Sequence, residues 1–199
     1  MVARLAAIFP DFASCHRGCA MGVTHLNLSS NAAMAAGVTA QWWRWLGVSL
    51  AVIIADYLTK AAILAAFRPG EQFPVTGFFS LVLAFNTGAA FSFLAAADGW
   101  QRWLFTVIAV VASAVIVWLL RRGGSAVFCL GLALILGGAL GNLWDRLALG
   151  KVVDFLLFHY AGWAYPAFNV ADSAITVGAG LVILDSFRQR RTEHGSTHG

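Results

Sequence analysis

Residues 78–97 read FFSLVLAFNTGAAFSFLAAA, and whether this run crosses a membrane decides the fold. Its length and apolar character suit a bilayer span, which takes about 20 residues. Two arguments count against one. The first is local: Asn86-Thr87-Gly88 puts a turn signal in mid-run, and the wealth of Phe, with Val82, is that of strand sequence. The second is charge: a span here would carry Arg121-Arg122 and the basic tail Arg188, Arg190 and Arg191 to the outside, against the excess of Lys and Arg that cytoplasmic loops carry. The run is therefore read as a small extramembrane β element lying against the outer interface.

Four other runs are read as spans: Trp45–Phe67, Trp103–Leu120, Ala126–Trp144 and Val170–Phe187. The composition agrees, with 60% hydrophobic residues, 11% charged and a mean hydropathy of +0.77, against about 45–50% apolar and 25% charged in soluble domains. With the N-terminus inside, eight basic residues (Arg4, Arg17, Arg44, Arg121, Arg122, Arg188, Arg190, Arg191) face the cytoplasm and four (Arg68, Arg102, Arg146, Lys151) face out. That bias places both termini in the cytoplasm. The net charge of +4 does not point to nucleic acid, because the basic residues sit beside the spans and form no stripe or patch. The chain divides into a flexible cytoplasmic extension (1–41), a four-helix membrane domain (42–188) and a basic cytoplasmic tail (189–199). Cys15, Cys19 and Cys129 form no disulfide or metal framework.

The polar residues inside this apolar chain carry the chemistry. Asp56 and Lys60 lie about 18 and 24 Å along the first helix from Arg44, toward its outer half. Four apart, with the acid first, they share a face in the order that favours pairing. Intramembrane charges are costly and usually mark function; this pair is read as supporting a site. Asn86 suits a turn or a contact to a peptide backbone. Gly137, Gly138 and Gly141 allow close helix contact and are also read as leaving room for a substrate. Asn142 and Arg146 share a face at the outer end of the third span. Asp145 beside them is read as an interfacial acid that pairs with Arg146 or faces water.

Asp154, in KVVDFLLF, is a lone carboxylate among Val152, Val153, Phe155, Leu156 and Leu157. Asp172, in FNVADSAI, is similarly enclosed at the mouth of the fourth span. The topology brings both to the outer side. Two carboxylates placed together in a low dielectric cannot both ionise, so they share a proton over a wide pH range. One then takes a proton from water while the other hydrogen-bonds a scissile carbonyl and stabilises the oxyanion, which suits peptide hydrolysis without a metal or other cofactor.

Taken together, DYLTK (56–60), NTGAAFS (86–92), GNLWDR (141–146) followed by VVDF (152–155), and FNVADS (168–173) resemble lipoprotein signal peptidase, or signal peptidase II, in order and spacing. The resemblance covers about residues 42–188. It implies a bacterial inner-membrane aspartyl endopeptidase with four transmembrane helices, a periplasmic β cradle and a short periplasmic helix. Such enzymes cut the signal peptide from prolipoproteins just before a diacylglyceryl-modified cysteine. Carried over, Asp154 and Asp172 match the catalytic aspartates. Asp56, Lys60, Asn86, Gly141, Asn142, Arg146, Asn169 and Ala171 match positions that support or line the site. The expected partners are the lipid-modified prolipoprotein and membrane lipid, and the chain is expected to act as a monomer with its active site on the periplasmic side.

Two other functions compete. A metal-dependent lipid-alcohol phosphotransferase requires a further acid where this chain has Phe158. A small transporter or channel requires polar residues through the inner halves of the spans, which are nearly all apolar.

Overall fold

The computed structural model describes residues 42–87 and 100–195. The expectations for residues 1–41, Cys15 and Cys19 included, and for the second half of the 78–97 run lie outside them. Four helices are long and apolar enough to cross a membrane: α1 (Trp42–Ala66), α2 (Trp100–Arg122), α3 (Ala126–Ala148) and α4 (Val170–Gly195), the last spanning up to Arg188. Each begins or ends within a few residues of the run read from sequence, and α4 continues into the basic tail.

Long outward-facing side chains such as Leu50, Ile54, Leu58, Val107, Val111, Val115 and Ile183 are exposed. In hydrocarbon they need no protein partner, and the helix satisfies its own backbone there. Helix α3 is the central element: 50% of its span is buried, against 22% for each of the other three. It starts at the N-cap Ser125, whose hydroxyl accepts from Phe128 N. Its Leu132 and Leu136 pack with Ile116 and Leu120 of α2.

Small residues set how closely the helices approach. A Cβ on Gly137 would lie 2.8 Å from the Ser49 carbonyl oxygen of α1, and one on Gly131 2.7 Å from the Gly178 carbonyl oxygen of α4. A Cβ on Gly138 would collide with the Ala171 carbonyl oxygen. Gly137, Gly138 and Gly141 therefore leave no room for a substrate, contrary to the sequence expectation. Neighbouring helices fill the space that the missing side chains vacate.

Outside the helices lies one antiparallel sheet in the order β1-β2-β3-β4, from β1 (Gln72–Pro74), β2 (Phe79–Asn86), β3 (Val152–Tyr160) and β4 (Trp163–Ala164). The first half of the 78–97 run is thus a strand. Among the described residues no short helix accompanies the sheet. Strands β3 and β4 join through Ala161-Gly162, both at positive φ (48° and 84°), as a two-residue hairpin turn requires. The chain then doubles back, and Phe168 bridges to Leu156. That return sets the start of α4 beside the start of β3. The sheet is anchored by Leu83, Val153 and Phe155, which pack on Ile63 of α1.

Candidate active site

The site is built around Asn169, which is completely buried. It caps α4: its Oδ1 accepts from Asp172 N at 2.9 Å, while its own backbone N–H donates to Asp172 Oδ2 at 3.3 Å. This is a capping box with Asn and Asp in place of the commoner Ser or Thr and Glu. The box fixes the Asp172 side chain in the first turn of α4, where the helix dipole favours negative charge. The other end of Asn169 reaches β3. Its Nδ2 donates to Asp154 Oδ1 at 2.8 Å and lies 3.2 Å from the Val153 carbonyl oxygen. One residue thus holds both carboxylates, Asp154 through its side-chain amide and Asp172 through its backbone N–H.

Asn142 of α3 supports this pair from below. Its Nδ2 donates to Asp172 Oδ1 at 2.8 Å, and its Oδ1 accepts from Asn169 Nδ2 at 3.1 Å and from Lys60 Nζ at 3.2 Å. Lys60 is 3% exposed and stands between two carboxylates, Asp56 Oδ2 at 2.7 Å and Asp145 Oδ2 at 2.8 Å. Asp56 also accepts from the Ala171 backbone N–H at 2.9 Å, so it ties α1 to the first turn of α4. Gly141 lets that carboxylate in, since a Cβ there would lie 2.8 Å from Asp56 Oδ2. Ala171 is wholly buried against the same group.

Asp145 departs from expectation. It neither pairs with Arg146 nor faces water: it is 6% exposed, binds Lys60, and its Oδ2 accepts from Val153 N at 3.1 Å. Adjacent helix positions point about 100° apart and do not face each other. Arg146 accordingly turns toward α2, over the Phe105 ring, and donates to Asn142 O at 3.2 Å. It lies within electrostatic range of Asp145, Asp154 and Asp172.

Asp154 is 2% exposed. Burial, then the nearby Asp172 carboxylate, push its carboxyl up to about 7, against the opposing pull of hydrogen bonds from Asn86 and Asn169 and of the Lys60 charge. Asn86 comes from the end of β2. One residue more on β2 than on β3 between the Leu81↔Leu156 and Ala84↔Asp154 pairs makes a bulge at that point, a device that re-aims side chains beside sites. The carboxylates open onto different clefts. Asp154 lines a cavity of about 250 Å³ with Phe85, Asn86, Thr87 and Pro166. Asp172 lines one of about 350 Å³ with Tyr165, Phe168, Thr176 and Val177. The structure therefore brings together all ten residues singled out from sequence, and adds Asp145. Two acids of unlike environment, both held by Asn169 and reached from two sides, form an arrangement able to activate water and polarise a carbonyl.

Residues 48–188 match the family model described as signal peptidase (SPase) II, Peptidase_A8. The chain is 61% identical over 148 residues to a lipoprotein signal peptidase of Ralstonia nicotianae and equally to one of Paraburkholderia phytofirmans, covering 74% of this chain and 86% of each relative. It is 60% identical over 148 residues to that of Burkholderia ambifaria, covering 89% of that relative. Two solved structures, each described as a bacterial membrane enzyme, share the fold at 28% identity. One, at 2.3 Å resolution, gives a TM-score of 0.66 over 74% of this chain and 89% of its own. The other, at 1.9 Å, gives 0.64 over 71% and 90%.

Proposed function

The chain belongs to the signal peptidase II family, and on that premise we propose that Asp154 and Asp172 are the pair through which it removes signal peptides from prolipoproteins. The observation that carries this reading is Asn169, whose amide and backbone N–H donate to one aspartate each. Asp154, pushed up to about 7, is still about half protonated at neutral pH, and that form donates its proton to the scissile carbonyl oxygen. Asp172, with N–H donors from Asn142 and Asn169 aimed at its two oxygens, takes a proton from the attacking water. Collapse of the tetrahedral intermediate breaks the C–N bond, passes that proton from Asp172 to the leaving amine, and returns the proton on the carbonyl oxygen to Asp154. Asp56, Lys60, Gly141, Asn142 and Ala171 hold the pair; Asn86 and Arg146 border it.

The substrate is cut just before its diacylglyceryl-modified cysteine, and the two clefts suit such a chain. The extended peptide lies along Asn86 and Thr87, and the acyl chains stay in lipid. The site faces the periplasm, both termini lie in the cytoplasm, and one chain supplies every group, so the enzyme acts as a monomer in the bacterial inner membrane. Neither the transporter nor the phosphotransferase reading has support in the relatives. The test is cleavage of a diacylglyceryl prolipoprotein by purified enzyme, with EDTA present, and mass analysis of the products. A product beginning at the modified cysteine supports the reading; cleavage elsewhere, or none, overturns it.

A further inference from the structure

Lys60 is over-neutralised. One buried ammonium lies at 2.7 and 2.8 Å from two buried carboxylates, so the group Asp56–Lys60–Asp145 carries a net charge of −1. A structural ion pair needs only one acid. The second, Asp145, belongs to α3 and also accepts from the backbone N–H of Val153, the residue before Asp154. The extra negative charge is thereby locked next to one member of the carboxylate pair. Asp145 lines neither cleft of that pair: its direct contacts are Lys60 and the Val153 backbone, with Arg146 in electrostatic range.

The charged groups facing Asp154 come from three helices. They are Asp172 of α4, Lys60 of α1, and Arg146 of α3, which lies near Asp154 and Asp172 alike. Lys151, three residues before Asp154 in the chain, lies over the Phe85 ring, 3.4 Å from its centre. Two cations therefore act on the pair, and both favour loss of its proton. A unit charge about 10 Å away at an effective dielectric of about 20 moves a carboxyl by about one pH unit. Left unbalanced, the Lys60 charge would lower the pH at which Asp154 releases its proton by about one unit.

We propose that Asp145 is a positioning residue that, with Asp56, cancels the charge of Lys60 and so keeps the aspartate pair singly protonated at neutral pH. This rests on the assignment of Asp154 and Asp172 as the reacting pair. Lys60 is needed as the donor that orients Asn142, and Asp145 makes that donor tolerable beside an acid that must stay protonated.

The test is the pH–rate profile of prolipoprotein cleavage. Asp145→Asn retains an acceptor for Val153 N but takes the group from −1 to 0. Its basic limb, where the shared proton is lost, is expected to move down by about one pH unit. Lys60→Met/Asp145→Asn restores −1, and its limb is expected to return to the wild-type position whatever its maximal rate. Asp56→Asn makes the same charge change from the other side, and is expected to move the limb the same way; it is read in place of Asp145→Asn should that variant not fold. An unmoved limb in the folded single variant, or a limb as displaced in the double variant as in the single, overturns the inference. Asp154→Asn and Asp172→Asn run alongside. If either still cleaves, the assignment of the pair has failed; if both are inactive and the limb is unmoved, only the role of Asp145 has failed.

Discussion

Replacing Asp154 by Asn is expected to abolish cleavage and yet stabilise the protein, by more at pH 8 than at pH 5. The carboxyl rises from an ordinary 3.8 to about 7, through burial first and the Asp172 charge second. Below about pH 4 both the folded and unfolded chains hold this proton. Between there and about 7 the unfolded chain releases it and the folded chain retains it, so stability falls as pH rises; above about 7 the loss is complete. Each unit is worth about 1.4 kcal/mol, so raising the pH from 5 to 8 costs the wild type about 2–3 kcal/mol at this one group. Asn has nearly the same shape, still accepts from Asn169, and carries no charge to bury. Thermal unfolding in detergent at both pH values reads the difference, with an expected extra gain of several degrees for the variant at pH 8. An advantage equal at the two pH values, or a variant less stable than wild type at pH 8, would refute the placement of a buried, proton-holding acid at this position.

Three further outcomes follow from the same geometry. Lys60→Met strands Asp56 and Asp145 as buried carboxylates without their cation, and denaturant titration should show a loss of about 3–5 kcal/mol. Gly138→Val drives a side chain into the Ala171 carbonyl and pushes the first turn of α4 off α3. Both melting temperature and cleavage rate should fall, and a neutral result would show that the helices are not in this contact. Asn169→Ala removes the α4 cap, worth about 1 kcal/mol, and the tie between the two aspartates. Since misplacement of a reacting group by about 1 Å costs about 10²-fold, kcat should drop by at least that much, and the buried partners left unsatisfied should lower stability by about 1–3 kcal/mol beyond the cap.

The four spans were legible because bilayer thickness imposes a length on apolar runs that few other structures share. The half of the 78–97 run that forms β2 was legible through Asn86-Thr87-Gly88 and the charge of the flanking segments. Asp154 and Asp172 stood out as carboxylates with apolar neighbours. The Asn169-Val170-Ala171-Asp172 spacing also announces a capping box, which sequence alone can supply and which predicts that Asn169 and Asp172 touch. Asp145 was misread because its chain neighbour Arg146 looks like a partner on paper. Its true partners, Lys60 and Val153, are set by how α1 and β3 dock on α3. The glycines were half legible: their spacing reports close approach, but not that Val52, Ala171 and Asp56 occupy the space. The bulge in β2 left no sequence mark, because it comes from the offset between two strands far apart in the chain.

The most direct test of the central claim is single-turnover cleavage of a diacylglyceryl prolipoprotein by Asp154→Asn and Asp172→Asn, each confirmed as folded by its melting curve. The account predicts that both variants lose cleavage by at least about 10²–10⁴-fold, the contribution of a positioned acid or base, with substrate binding retained. Cleavage at a wild-type rate by either folded variant would contradict it, and would make that aspartate a structural residue of the α4 cap or the β3 edge.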